Sequence, residues 1–234
     1  MQTYFLFVII PMILGLWAQS RIRSAYSKYS AVPTQYGMSG AQAARKMLDQ
    51  AGLQNVQIER VEGTLTDHYD PTKRVLRLSQ GVYDSASVAS VGVACHEAGH
   101  AYQHAAAYPW LTLRSRIVPV VGIGSNLGIL LFIGGLALSS LVGNFGITIA
   151  WVGIILFSLT TVFTLITLPV EFDASNRAKK WAANTGVFTA EEQKGIATVL
   201  DAAALTYIAA ALQSIATLLY YSSILSGGNR RRRY

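Results

Sequence analysis

The sequence predicts a mainly α integral membrane protein, in which a small α+β domain with a short β-hairpin is attached to three to four transmembrane helices. Three observations lead there. Only 13% of the 234 residues are charged and 52% are hydrophobic, whereas an average soluble domain is roughly 25% charged. Charge is missing altogether from Met1 to Ser20, from Ile117 to Val170 and from Ala202 to Asn229. The polar residues gather chiefly in one block between the first two of these stretches. High hydrophobicity with little charge excludes a disordered chain.

Residues 1–20 form the first segment, whose apolar run from Thr3 to Ala18 reads as an uncleaved membrane anchor. No basic residue precedes the run, and Trp17-Ala18-Gln19-Ser20 is a poor cleavage site. Residues 21–116 form the polar domain. Within it, Ser39-Gly40-Ala41-Gln42 has the spacing of a capping box, and an apolar stripe through Ala43, Ala44, Met47, Leu48 and Ala51 predicts a helix that stops at Gly52. Val56, Ile58 and Val61, then Val75, Leu76 and Leu78, predict two short antiparallel strands joined by Thr64 to Lys73. That connection contains Asp67-His68-Tyr69-Asp70-Pro71, which reads as a turn rich in polar groups. A helix from Ser85 to Ala107 follows, largely buried by its Val and Ala positions and broken at Tyr108-Pro109.

A spanning helix takes about 20 apolar residues, so residues 117–170 hold two, Ile117 to Leu141 and Ile147 to Leu168, with a turn at Gly143-Asn144-Phe145-Gly146. The hairpin returns the chain to the face it left. Residues 171–201 then lead to a last membrane helix at 202–226, whose water-exposed start carries a second capping box, Thr189-Ala190-Glu191-Glu192. Asp201, Tyr207 and Gln213 on this helix are expected to hydrogen-bond to neighbouring helices. Residues 227–234 read as a flexible basic tail.

The net charge of +7 does not point to nucleic acid, because the basic residues cluster at the borders of the apolar segments instead of among aromatics. Arg21, Arg23, Lys28, Arg114, Arg116, Arg177, Lys179 and Lys180 fall on one face, expected to be cytoplasmic, of a multi-pass membrane protein. Arg230 to Arg233 fall on the other face if the last segment crosses fully. The single cysteine, Cys95, cannot pair within the chain, so the fold does not depend on oxidation.

The chemistry lies in Cys95-His96-Glu97-Ala98-Gly99-His100. Positions four apart share a helix face, so His96 and His100 can hold one divalent ion, and Glu97 can act as a general base towards a water that the ion activates. Without a metal the pattern would bury a carboxylate with no basic partner nearby in sequence, which is costly. A catalytic zinc takes three protein ligands and leaves one position open. His104 lies about 12 Å beyond His96 along a straight helix and cannot join the same ion. Gln103 and Ala106 stand where the longer H-E-x-x-H-x-x-G-x-x-H pattern needs glycine and histidine, which excludes that coordination. Glu171 is the preferred third ligand because it re-enters beside the motif after the hairpin; Asp173 competes with it, and a first-turn carboxylate after Pro169 is the plain structural alternative.

Other residues have open roles. His104 packs near the helix end or contacts a group behind the ligands. Arg177 holds Glu171, stabilises an oxyanion or snorkels at the membrane border. His68 and Tyr69 are the remaining hydrogen-bond donors for an oxyanion.

Ser39 to Leu53, Gly63 to Pro71, Val91 to His104, Leu168 to Ser175 and Val199 to Tyr207, in that order, resemble the YugP-type membrane zinc metallopeptidases of bacteria over nearly the whole chain. The resemblance implies a gluzincin-like site with one Zn2+ per chain on His96, His100 and Glu171, and Glu97 as base. The chain is also similar to the HtpX-type membrane proteases. Their motif usually has Asp four residues after the ligand glutamate, where this chain has Ser175, leaving Asp173 as the substitute for that orienting carboxylate. The implied activity is hydrolysis of a polypeptide, membrane proteins included, in processing or quality control, with one of the two strands binding the substrate by edge pairing. The alternatives are a catalytically silent zinc-binding membrane scaffold, which would have no need of Glu97, and a metal-conducting transporter, which would carry its ligands inside the apolar segments. Oligomeric state and substrate preference are not encoded in any motif.

Overall fold

The computed structural model describes residues 2–231, and side chains as far as Gly227. It contains seven α-helices and three strands among the described residues: α1 Gln2–Ser30, α2 Gly40–Gln50, β1 Gln57–Val61, β2 His68–Asp70, β3 Val75–Ser79, α3 Gln80–Tyr83, α4 Val88–Ala105, α5 Pro109–Val142, α6 Asn144–Asn184 and α7 Ala190–Arg231. Within α1, Phe5–Ile9 is wound as a π-helix. The protein is thus a mainly α membrane protein with a small sheet. Four helices, α1, α5, α6 and α7, are long and apolar enough to cross a membrane.

The chain divides into two compact units, one made of α1 as far as Trp17, Leu113–Leu168 and α7 from Tyr207, the other of Ala18–Thr112 and Pro169–Thr206. In the first unit, glycines let α5 and α6 pack backbone to backbone. A Cβ on Gly128 would lie 2.7 Å from the Phe157 nitrogen, and one on Gly135 would strike the backbone of Ala150. In lipid, where apolar burial drives little association, such close contacts are what hold helices together. The expected four-residue turn shrinks to Gly143 alone, in the left-handed conformation (φ 58°), because α6 already starts at Asn144.

The second unit has the larger core. The stripe of α2, namely Ala43, Ala44, Met47 and Leu48, packs with Leu76 and Leu78 of β3, with Val88, Val91, Ala94, Cys95 and Ala98 of α4, and with Ala178, Ala182, Ile196 and Leu200. The capping box at Ser39 and Gln42 forms as expected. Gly40 seats the start of α2 on α4: a Cβ there would meet the Val82 carbonyl and lie 2.9 Å from that of Ser90. The second capping box also forms, and Glu192 additionally accepts from the Gln35 backbone at 2.6 Å.

Several expectations need correction. The two strands are not an antiparallel pair: β1 and β3 run parallel, and the connection expected to be a turn contributes β2, antiparallel to β3, giving the order β1-β3-β2. The reason is long-range pairing. Asp67 takes both the backbone N–H (2.7 Å) and the hydroxyl of Ser79, and Asp70 accepts from Arg77 at 2.8 Å, so the loop is tied along β3. Secondly, Pro169 starts no new helix; it lies inside α6, which runs unbroken past Glu171. Thirdly, α7 continues through Gly227 and Gly228 to Arg231, so the expected flexible tail is helical that far; its last residues, 232–234, lie outside the described ones. The motif helix α4 is also shorter than expected, since Ser87 caps it by accepting from the Ser90 N–H.

Candidate metal centre

The centre is assembled by α4 and α6. Gly99 is what brings them together, because a Cβ there would lie 2.7 Å from the Ala174 carbonyl oxygen and 3.1 Å from the Ala174 Cα. At that backbone contact, His96 and His100 come from one helix, and Glu171 and Ser175, one turn apart, from the other.

The two imidazoles stand edge to face, with centroids 4.8 Å apart and planes at 85°. His96 Nε2 lies 3.2 Å, and His100 Nε2 3.7 Å, from the same oxygen of Glu171, Oε2. One ligand atom from each of the three residues falls within 4.8 Å of the others. Ligand atoms about 2.0–2.1 Å from a tetrahedral zinc stand roughly 3.3 Å from one another, a spacing that the two observed distances bracket. All three residues are buried, at 9%, 8% and 3% exposure. The donor set therefore fits zinc.

The outward nitrogens are also occupied. His96 Nδ1 meets the Ser175 hydroxyl at 3.0 Å, and His100 Nδ1 meets Gln103 Oε1 at 3.0 Å. The contact behind His96 is thus a serine hydroxyl, from the residue four positions after Glu171. Asp173 is not the substitute expected there: it accepts from Gln103 Nε2 at 2.9 Å and from Arg177 Nε at 2.6 Å, and touches His100 only through Gln103. Nor is Asp173 in the three-ligand group.

Glu97, on the same helix, is partly exposed. Burial pushes its carboxyl pKa up; the two histidines pull it down, and Glu171 and Asp67 add to the rise. Burial works against a charged His100, yet the carboxylates of Glu171 and Glu97 outweigh it and raise that pKa. A cluster in which two carboxylates favour positive charge on an imidazole is one that a cation suits.

The remaining expected residues have definite partners. Burial raises the pKa of Tyr69, and its protonated hydroxyl is hydrogen-bonded to His104 Nδ1 at 2.9 Å. The hydroxyl is therefore already engaged. The pair lines a pocket of about 280 Å³ with Arg74, Leu53 and Asn55. His68 is exposed, and its Nδ1 donates to the Thr66 carbonyl at 2.7 Å. Arg177 holds Asp173 and lies 4.6 Å from the centre of the Tyr102 ring. Sequence reasoning missed Gln103, which is fully buried. Its signal was a polar residue three positions after His100, about one helical turn further on and so on the same side of the helix.

Comparison with known proteins agrees with this geometry. The family model described as "Putative neutral zinc metallopeptidase" matches residues 4–226. A curated relative from Bacillus subtilis (strain 168), named "Putative membrane protease YugP", is 48% identical over 225 residues, covering 96% of this chain and 97% of its own. No solved structure matches.

Proposed function

The chain belongs to the neutral zinc metallopeptidase family, and from that premise we propose that it is a membrane-bound, zinc-dependent endopeptidase whose substrates include membrane proteins. The observation that carries this reading is the buried convergence of His96, His100 and Glu171, with Glu97 beside them. His96, His100 and Glu171 would hold the ion. At that position a bound zinc would supply Lewis acidity towards a scissile carbonyl and an attacking water.

Glu97 does the proton work. A carboxylate this close to His96, His100 and Glu171 can take a proton from the attacking water and return it to the leaving amine. A base of this kind favours an enzyme over a silent zinc scaffold, which needs none.

An extended substrate would add to a free sheet edge. That role cannot fall to β3, which is paired on both sides. The outer edge of β2 is the better candidate, because β2 packs against α4, the helix that carries the motif. The eight basic residues flanking the apolar segments support a catalytic unit on the cytoplasmic side.

The test is metal content by mass spectrometry on detergent-purified protein, with casein cleavage measured in parallel. Wild type should hold about one zinc per chain and cleave in a chelator-sensitive way. Glu171→Ala should lose both, while Glu97→Gln should keep zinc and lose cleavage. Full zinc in Glu171→Ala would move the third ligand elsewhere, and equal cleavage by Glu97→Gln would sink the proposed mechanism.

A further inference from the structure

We infer that Gln103 is a positioning residue for the metal centre: its side-chain amide fixes His100 in the tautomer whose Nε2 is free to bind the ion. The inference rests on reading His96, His100 and Glu171 as zinc ligands, and it goes beyond that reading by assigning the group that orients one of them.

The argument begins with which end of the amide points where. One end of the Gln103 side chain lies 2.7 Å from the Val170 carbonyl oxygen and 2.9 Å from Asp173 Oδ2. A carbonyl oxygen and a carboxylate oxygen in these positions only accept, so the end that meets both must be the NH2 group. Both of its hydrogens are thereby used. The carbonyl end, Oε1, must then face His100, where it lies 3.0 Å from Nδ1. A carbonyl cannot donate, so the proton between them sits on Nδ1. A neutral imidazole protonated on Nδ1 has its lone pair on Nε2, the nitrogen that faces Glu171.

The orientation is locked from behind. Arg177 Nε donates to the same Asp173 oxygen at 2.6 Å, and its guanidinium lies on Tyr102. Arg177 can only donate, so Asp173 stays an acceptor, and the amide cannot turn over without placing its carbonyl against a carboxylate. Gln103 is fully buried, so water does not replace these partners. Tyr102, Gln103 and His100 come from α4, whereas Asp173 and Arg177 come from α6, the helix of Glu171. The relay therefore ties the two ligand-bearing helices as well as setting a tautomer. His96 has no such device: the Ser175 hydroxyl can donate or accept and fixes neither tautomer.

The test measures zinc affinity of the full chain in detergent, by competition with a chromogenic chelator, together with the visible spectrum of the cobalt-loaded protein. Gln103→Leu removes the acceptor. The double variant Gln103→Glu with Asp173→Asn restores an acceptor towards His100 and reverses the donor between the two side chains. Melting of the metal-free proteins is recorded first, since both variants take the Gln103 amide donor from the Val170 carbonyl, and Gln103→Leu leaves Asp173 with Arg177 alone; the double variant carries the comparison if Gln103→Leu does not fold. Expected are a loss of about 10 to 100-fold in zinc affinity for Gln103→Leu, an altered cobalt spectrum, and recovery of both in the double variant. Wild-type affinity in a folded Gln103→Leu overturns the inference. So does a double variant that melts like wild type and holds zinc no better than Gln103→Leu, or markedly worse than wild type. Failure of the wild type itself to hold zinc removes the underlying reading instead, which separates the two.

Discussion

Replacing Gly99 with alanine tests whether a backbone contact sets the metal centre. The new Cβ would fall 2.7 Å from the Ala174 carbonyl oxygen, 3.1 Å from its Cα and 3.2 Å from its carbonyl carbon. Unstrained carbon contacts lie at about 3.5–4.0 Å, so α4 and α6 would have to separate by roughly 0.5 Å. Neither neighbour is a flexible side chain. Overpacking of this kind costs about 1–3 kcal/mol, and the better helix propensity of alanine offsets about 1 kcal/mol of it. The net loss should thus be about 0–2 kcal/mol, a modest fall in Tm. The larger effect should be on zinc, since the same separation stretches the 3.0 Å His96–Ser175 contact and the 3.2 Å His96–Glu171 contact. Disturbed groups behind a ligand lower metal affinity by about 10 to 100-fold. The assay is chelator competition on detergent-purified protein, with melting curves of zinc-loaded and metal-free samples. Gly81→Ala is the control, because nothing lies within 4 Å of a Cβ there. If Gly99→Ala binds zinc as tightly as the control and melts no lower, the close approach at Ala174 does not position the ligands.

Three further outcomes follow from residues around the site. Asp67→Ala should cost about 1–3 kcal/mol, because the Ser79 N–H and hydroxyl, on a residue only 3% exposed, lose their acceptor; denaturant titration of the metal-free protein measures it. Tyr69→Phe should cost about 0.5–1.5 kcal/mol through the lost bond to His104 while leaving zinc content unchanged, and a loss of zinc would show that this pair belongs to the centre. Asp70, hydrogen-bonded to Arg77 and to the Lys73 and Thr72 backbone, has its pKa lowered to about 2 from 3.8. Its folded pKa lies below its unfolded one, so its stabilisation is complete above the unfolded value and disappears as pH falls through about 2. The Tm gap between wild type and Asp70→Asn should accordingly be open at neutral pH and close in strong acid, and a gap that persists there refutes the assignment.

What could be read from the sequence was whatever depends on short range or on scarcity. The two histidines and Glu97 were legible because a helix puts positions four apart on one face. Glu171 was legible because few carboxylates follow the motif and a hairpin must return. The membrane helices showed as uncharged length. The sheet was not legible: β2 is three residues long, and it exists because Asp67 and Asp70 bond to residues some seven to twelve positions away on β3. Pro169 misled for a related reason. A proline at the start of a helix and one inside it look alike locally, and its tolerance inside α6 depends on the packing of a 41-residue helix. Gln103 escaped notice because its significance lies in Val170 and Asp173, which approach from a different helix.

These particulars bear on how the centre discriminates its two histidines. In a site whose imidazoles both faced carboxylates, both would be made strongly basic, and the metal would gain more electron density from each. Here both outward contacts are neutral, a hydroxyl for His96 and an amide for His100, while the carboxylate that supports the second one, Asp173, stands one side chain further back and is neutralised by Arg177. An ion held by less basic ligands keeps more of its Lewis acidity for the water and the carbonyl. The cost is a weaker hold, which burial of all three ligands and the close seat of α4 on α6 at Gly99 offset by keeping the ligands in place. Neutral partners for both imidazoles leave positional control to two devices, the backbone approach at Gly99 and the relay from Gln103 through Asp173 to Arg177.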